Sequence, residues 1–123
     1  MSAYAPAPNV YRESAVLTAT PEQLVVMLYD GANRFLTQSA VAMRESRPAI
    51  AGEKLRRAEA IIDELLATLD MSVGEIAQQL QALYVFFKEH LMAARLEQSP
   101  AKVEQVARLM RELRTSWASI AGA

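Results

Sequence analysis

Cysteine is absent from the whole chain, which excludes disulfides, thiolate metal sites and thiol nucleophiles together. Histidine occurs once, as His90. A carboxylate-bridged metal pair inside a helical bundle needs a Glu-x-x-His on each of two helices, and the residue three before His90 is Phe87. No glycine-rich phosphate loop, Ser/His/Asp set or aromatic-basic strip is present. These absences predict a protein with no catalytic activity and no cofactor. Long apolar runs are missing as well: no stretch approaches the ~18 uncharged apolar residues of a membrane span, and the N-terminus lacks a basic patch followed by an apolar run. The expectation is no membrane insertion and a cytosolic location. Neither sign of charge dominates, with 13 Lys+Arg against 14 Asp+Glu and a net charge of −1. That gives no electrostatic reason to expect nucleic acid or an anionic membrane as the main partner.

What is present is apolar and helix-forming. The chain has 123 residues, 52% of them hydrophobic, with only four glycines and five prolines, enough for one continuous core. Residues 1–18 read as an extended N-terminal tail, with Pro6 and Pro8 among alanines and Tyr4 and Tyr11 as its large rings. Residues 19–123 read as an all-α, antiparallel four-helix bundle. Thr20-Pro21-Glu22-Gln23 is a capping box with proline at the first helical position, so helix 1 runs from Pro21 to about Arg44. Helix 2 spans about Ala49 to Leu69. Ser72 to Glu75 reads as a second capping box that opens helix 3, which continues to about Glu97. Ser99-Pro100 ends it and caps helix 4, which reaches about Ala118.

The apolar stripes differ between helices. Helix 2 (Leu55, Ala58, Ile62, Leu65, Leu66, Leu69) and helix 4 (Val103, Val106, Met110, Leu113, Trp117, Ile120) each carry one stripe about 100° wide, as a bundle core requires. Helix 1 has a stripe of Leu24, Met27, Leu28, Ala32 and Phe35, widened by Val25, Tyr29, Leu36, Ala40 and Met43 to roughly 200°. Helix 3 has a core stripe of Ile76, Leu80, Leu83, Tyr84, Phe87, Leu91 and Ala94, and a second line of Val85, Met92 and Leu96 on nearly the opposite face. Two readings of this surplus stay open. It is a partner surface, made adaptable by Met27, Met43, Met92 and Met110, or helix 1 is simply the most buried helix. Lys54, Arg56 and Arg57 between Glu53 and Glu59 read as a solvated face. His90 sits at the edge of the core stripe and reads as a boundary histidine.

Ala19-Thr20-Pro21-Glu22-Gln23-Leu24, followed by Met27-Leu28-Tyr29-Asp30-Gly31-Ala32, resembles the flagellin-specific export chaperones of the FliS family. The resemblance continues through Arg34-Phe35-Leu36, Arg57-Ala58, Ile61 to Leu65, Leu69-Asp70, Gly74 to Ala77, Leu83-Tyr84, Leu91, Val103-Glu104, Leu113 and Trp117. It departs at Val73, where the family often has glycine, and at Val10, where it often has proline. The resemblance implies an antiparallel bundle that binds the disordered C-terminal segment of flagellin, prevents its premature polymerisation and brings it to the flagellar type III export gate. It also implies that the tail lies over part of the client site, which gives Tyr11 a plugging role; otherwise Tyr11 is an ordinary tail residue. The expected client surface comprises Tyr11, Val25, Tyr29, Leu36, Val85, Met92 and Leu96. Two alternatives from other classes are a histidine phosphotransfer bundle and a self-associating helical adaptor. The phosphotransfer bundle rests on His90 alone, with Ala93 and Ala94 where such domains usually carry Lys and Gly.

Overall fold

The computed structural model describes residues 18–121; Tyr11 lies outside them, and so does the side chain of Ile120. Among the described residues the elements are α1 (Pro21–Arg44), α2 (Pro48–Ala67), a 3-10 turn (Met71–Val73), α3 (Glu75–Glu97) and α4 (Pro100–Ala121). The first capping box forms as the sequence predicts: the Gln23 amide donates to Thr20 Oγ1 at 3.1 Å, and Gln23 Oε1 accepts from the Thr20 amide at 2.9 Å. The second does not form. The Asp70 carboxylate takes both the amide and the hydroxyl of Ser72, winding Met71–Val73 into the 3-10 turn. Gly74, at φ +87, then turns the chain into α3 without any side-chain cap, a conformation that favours glycine. At the last connection Ser99 Oγ accepts from the Lys102 amide at 3.3 Å, as expected of a cap.

Each helix runs antiparallel to its neighbours. Asp30 pairs with Arg114 and Arg44 with Glu104 along the α1/α4 seam, while Glu59 pairs with Arg95 and Asp63 with Lys88 along α2/α3. Helix α1 packs extensively on α2 and α4, whereas α3 meets the same two helices much more sparsely. The core holds Tyr29, Leu36, Leu55, Ile62, Leu65, Tyr84, Phe87, Leu91, Val103, Val106 and Met110.

On α1 the structure reverses the expected order of the two faces. The fully buried line is Tyr29, Ala32, Leu36 and Ala40, continued by Met43, while Leu24, Met27, Leu28 and Phe35 are only partly buried. The surplus on α1 is therefore core. The physical reason is the set of small residues that share that line. A Cβ on Gly31 would stand 3.3 Å from Ile61 Cδ1, and buried Ser39 donates through Oγ to the Ala51 carbonyl at 2.8 Å. These contacts bring α1 close to α2 and enclose whatever lies between them. On α3 the line of Tyr84, Phe87, Leu91 and Ala94 is buried as expected, but Ile76 is 69% exposed.

Candidate functional site

The segment Tyr29-Asp30-Gly31-Ala32 assigns one structural duty to each residue. Tyr29 crosses the bundle to α3, where its hydroxyl is hydrogen-bonded to that of Tyr84, and it accepts from Trp117 Nε1 on α4 at 3.0 Å. The two phenol rings meet edge to face with centroids 6.4 Å apart. Burial pushes both phenols above their ordinary value, because the charged form cannot be solvated there. Asp30 reaches Arg114 with two contacts, at 2.6 and 3.2 Å. Gly31 permits the approach of α2, and Ala32 lies in the core.

Above this knot the bundle opens. A cleft of about 440 Å³ lies at the end where α1 and α3 begin and α2 and α4 finish, lined by Pro21, Glu22, Val25, Leu65, Thr68, Leu69, Asp70, Val73, Ile76, Ala77, Leu80, Tyr84 and Trp117. Ile76, Leu80 and Trp117 also border a second cavity of about 260 Å³ between α3 and α4. Leu83, Leu113 and Ser116 carry that one into a third of about 220 Å³, which reaches Phe87, Leu109 and Glu112. Sharing these residues, the three adjoin in a row of largely apolar clefts, a channel open to solvent, from the bundle end along the α3/α4 seam. The seam is open because its first rows hold half-buried leucines facing each other. Its polar closure comes later: His90 Nε2 meets Gln105 Oε1 at 2.9 Å, and Lys102 meets Glu97 at 2.6 Å near the connecting turn.

The residues predicted for the client surface fall into three groups. Tyr29 and Leu36 are fully buried, so their expected place on an open flank is corrected: α2 and α4 close over that face of α1. Val25 lines the end cleft while packing against the core. Val85, Met92 and Leu96 are exposed, at 43%, 59% and 81%, and form an outer stripe on α3. Lys88 and Arg95 reach from α3 to α2, whereas Leu83 and His90 face α4. By helical spacing the stripe lies beyond Lys88, on the side of α3 away from the channel. Sequence reasoning missed Ile76 and Trp117 as channel residues, because their spacing matched the core. It also missed Phe86, which is 39% exposed and stacks on His90 with centroids 5.2 Å apart. Two features could have found the channel: Ile76 follows directly on a glycine-led turn, and Trp117 is the one indole of the chain.

No group of three or more His, Cys, Asp or Glu side chains able to hold a metal occurs among the described residues. No described helix is long and apolar enough to cross a membrane.

The model of the family described as flagellar protein FliS matches residues 3–123. The chain is 37% identical over 110 residues to the flagellar secretion chaperone FliS of Salmonella typhimurium, covering 88% of this chain and 82% of the relative. It is 30% identical over 113 residues to that of Campylobacter jejuni, covering 91% and 88%. Against that of Bacillus subtilis it is 29% identical over 109 residues, covering 89% and 81%. With the family model matched over residues 3–123 and relatives matched over most of their length, this chain belongs to the FliS family of flagellar secretion chaperones, which are not enzymes.

Proposed function

We propose that the chain binds the disordered C-terminal segment of flagellin, keeps it from polymerising before export and delivers it to the flagellar type III export apparatus, acting in the cytosol. The observation that carries this reading is the row of adjoining apolar clefts from the bundle end to Leu109. A disordered client loses conformational entropy when it orders, so its host must offer broad apolar surface shaped to receive an amphipathic segment. The channel is the first seat, and the outer stripe of Val85, Met92 and Leu96 is the second, reached as the client continues around α3.

The bundle at 19–123 is the binding unit in this reading, and residues 1–18 are a cover. In this reading the cover, with Tyr11, serves the cleft that Pro21 and Glu22 line. Deleting residues 1–16 should leave the helical signal unchanged and raise binding of a hydrophobic dye. An unchanged dye signal would remove the covering role.

The direct test is Ile76→Glu. The side chain is mostly exposed, so stability should stay within about 0.5 kcal/mol of the parent. Calorimetric titration with the flagellin C-terminal segment should show affinity reduced about tenfold or more, because a carboxylate would be buried without a partner. Full binding by both Ile76→Glu and the double variant Val85→Glu/Met92→Glu would refute the reading.

A further inference from the structure

On the side of the bundle away from α3, the α1/α4 seam holds a groove of about 300 Å³. Its floor is small and apolar, made by Ala40 and Ala107 over buried Leu36, and its α1 rim carries Val41, which is 48% exposed. Its α4 rim carries Arg108 and Arg111. Three residues apart on one helix, they are neighbours on its surface. The arginines at either end are spoken for: Arg44 pairs with Glu104 and Arg114 with Asp30. Arg108 and Arg111 have no ion pair among the described residues and no side-chain hydrogen bond. Glu104 also lines the groove, but Arg44 holds its carboxylate, so two cations without an ion pair stand beside an exposed aliphatic residue.

We propose that this groove is a second docking site, for an acidic segment of a partner protein that sets an aliphatic side chain on the Ala40/Ala107 floor and carboxylates against Arg108 and Arg111. Guanidinium groups suit carboxylates because two parallel N–H donors match two acceptor oxygens. A nucleic acid strand fits less well, since single strands are held by stacking on aromatic rings as well as by charge, and no ring lines this groove. The site lies on the other seam of α4 from the client channel, so both can be filled at once. The inference does not depend on flagellin being the client.

The test uses the full chain and a fluorescein-labelled peptide of aspartate, glutamate and leucine residues, followed by anisotropy, with the same peptide carrying asparagine and glutamine as control. The acidic peptide should bind saturably and more weakly as salt rises. Arg108→Gln/Arg111→Gln should weaken it at least about tenfold while leaving the melting temperature and the flagellin-segment titration unchanged. A second variant, Val41→Glu, places a carboxylate in the groove and should weaken the same peptide without unfolding the chain. Equal binding by the arginine double variant would overturn the proposal, as would displacement of the peptide by the flagellin segment. Equally tight binding of a single-stranded oligonucleotide would overturn it too, and so would loss of a homodimer, seen by sedimentation, in the double variant.

Discussion

Helices α1 and α3 are both apolar well beyond a single stripe, yet they end in opposite conditions. On α1 the wide face is enclosed: Tyr29, Ala32 and Leu36 lose all contact with solvent, and Ala40, Ala42 and Met43 nearly all. On α3 the buried line is narrow, and Ile76, Val85, Phe86, Met92 and Leu96 stay open to water. Side-chain size explains the difference better than hydrophobicity does. Gly31 and Ser39 let α2 approach α1 closely, and α1 packs extensively on both α2 and α4, so its apolar line is covered even though a shallow groove remains on the α1/α4 side. Along α3, leucines oppose leucines and a tryptophan in the first rows of the α4 seam, which holds the helices apart and leaves the channel. An apolar excess becomes core where small residues bring helices together, and stays open to solvent where large ones keep them apart.

The largest effect expected from breaking this contrast is at Leu36. Leu36 is fully buried beneath its neighbours, so Leu36→Ala should cost ~2–5 kcal/mol. Leu83→Ala, at a half-buried channel position, should cost about 1–2 kcal/mol. Denaturant melts of the two variants would decide; equal losses would mean that α1 and α3 are equally packed.

The knot joining the two regions comes next. Tyr29→Phe removes the hydroxyl that Tyr84 and Trp117 share, and leaving those groups short of a partner should cost ~1–3 kcal/mol. The same pair predicts an alkaline limit. Burial raises both phenols above 10.0, so the folded chain keeps protons that the unfolded chain releases. Their contribution is fully present below pH 10.0 and declines as pH rises beyond it. Melting temperatures followed into alkali should fall, and Tyr84→Phe should make that fall shallower; an unaltered slope would remove the pair as its source.

The smallest effect on stability is expected at the outer stripe. Val85→Glu/Met92→Glu should shift the free energy of unfolding by no more than about 0.5 kcal/mol per site, and under the proposed function it should also weaken binding of the flagellin segment. An early melt would show that α3 is packed on that side after all.

Much of the architecture was legible because it is written in local chemistry. Thr20 with Gln23, the proline after Ser99 and the single stripes of α2 and α4 each settle a boundary or a face by contacts a few residues away. The failures came where a distant or competing partner decided. Ser72 was read as a cap for α3, but Asp70, two residues earlier, holds its amide and hydroxyl. On α1 an apolar arc of roughly 200° cannot reveal its centre, and the residues that mark the centre, Gly31 and Ser39, carry no hydrophobic signal. Ile76 keeps the spacing of the core stripe but is 69% exposed on the wall of the cavity it shares with Trp117, so periodicity places it inside and geometry places it on the channel wall.

Trp117 stands at the junction of the end cleft and the α3/α4 cavity, with its indole N–H held by Tyr29. It is also the single tryptophan of the chain. Its emission therefore has one source and one location, and the colour and intensity of that emission depend on the solvent around the ring. The protein carries its own optical probe where the two cavities meet, able to register an arriving segment without any attached label.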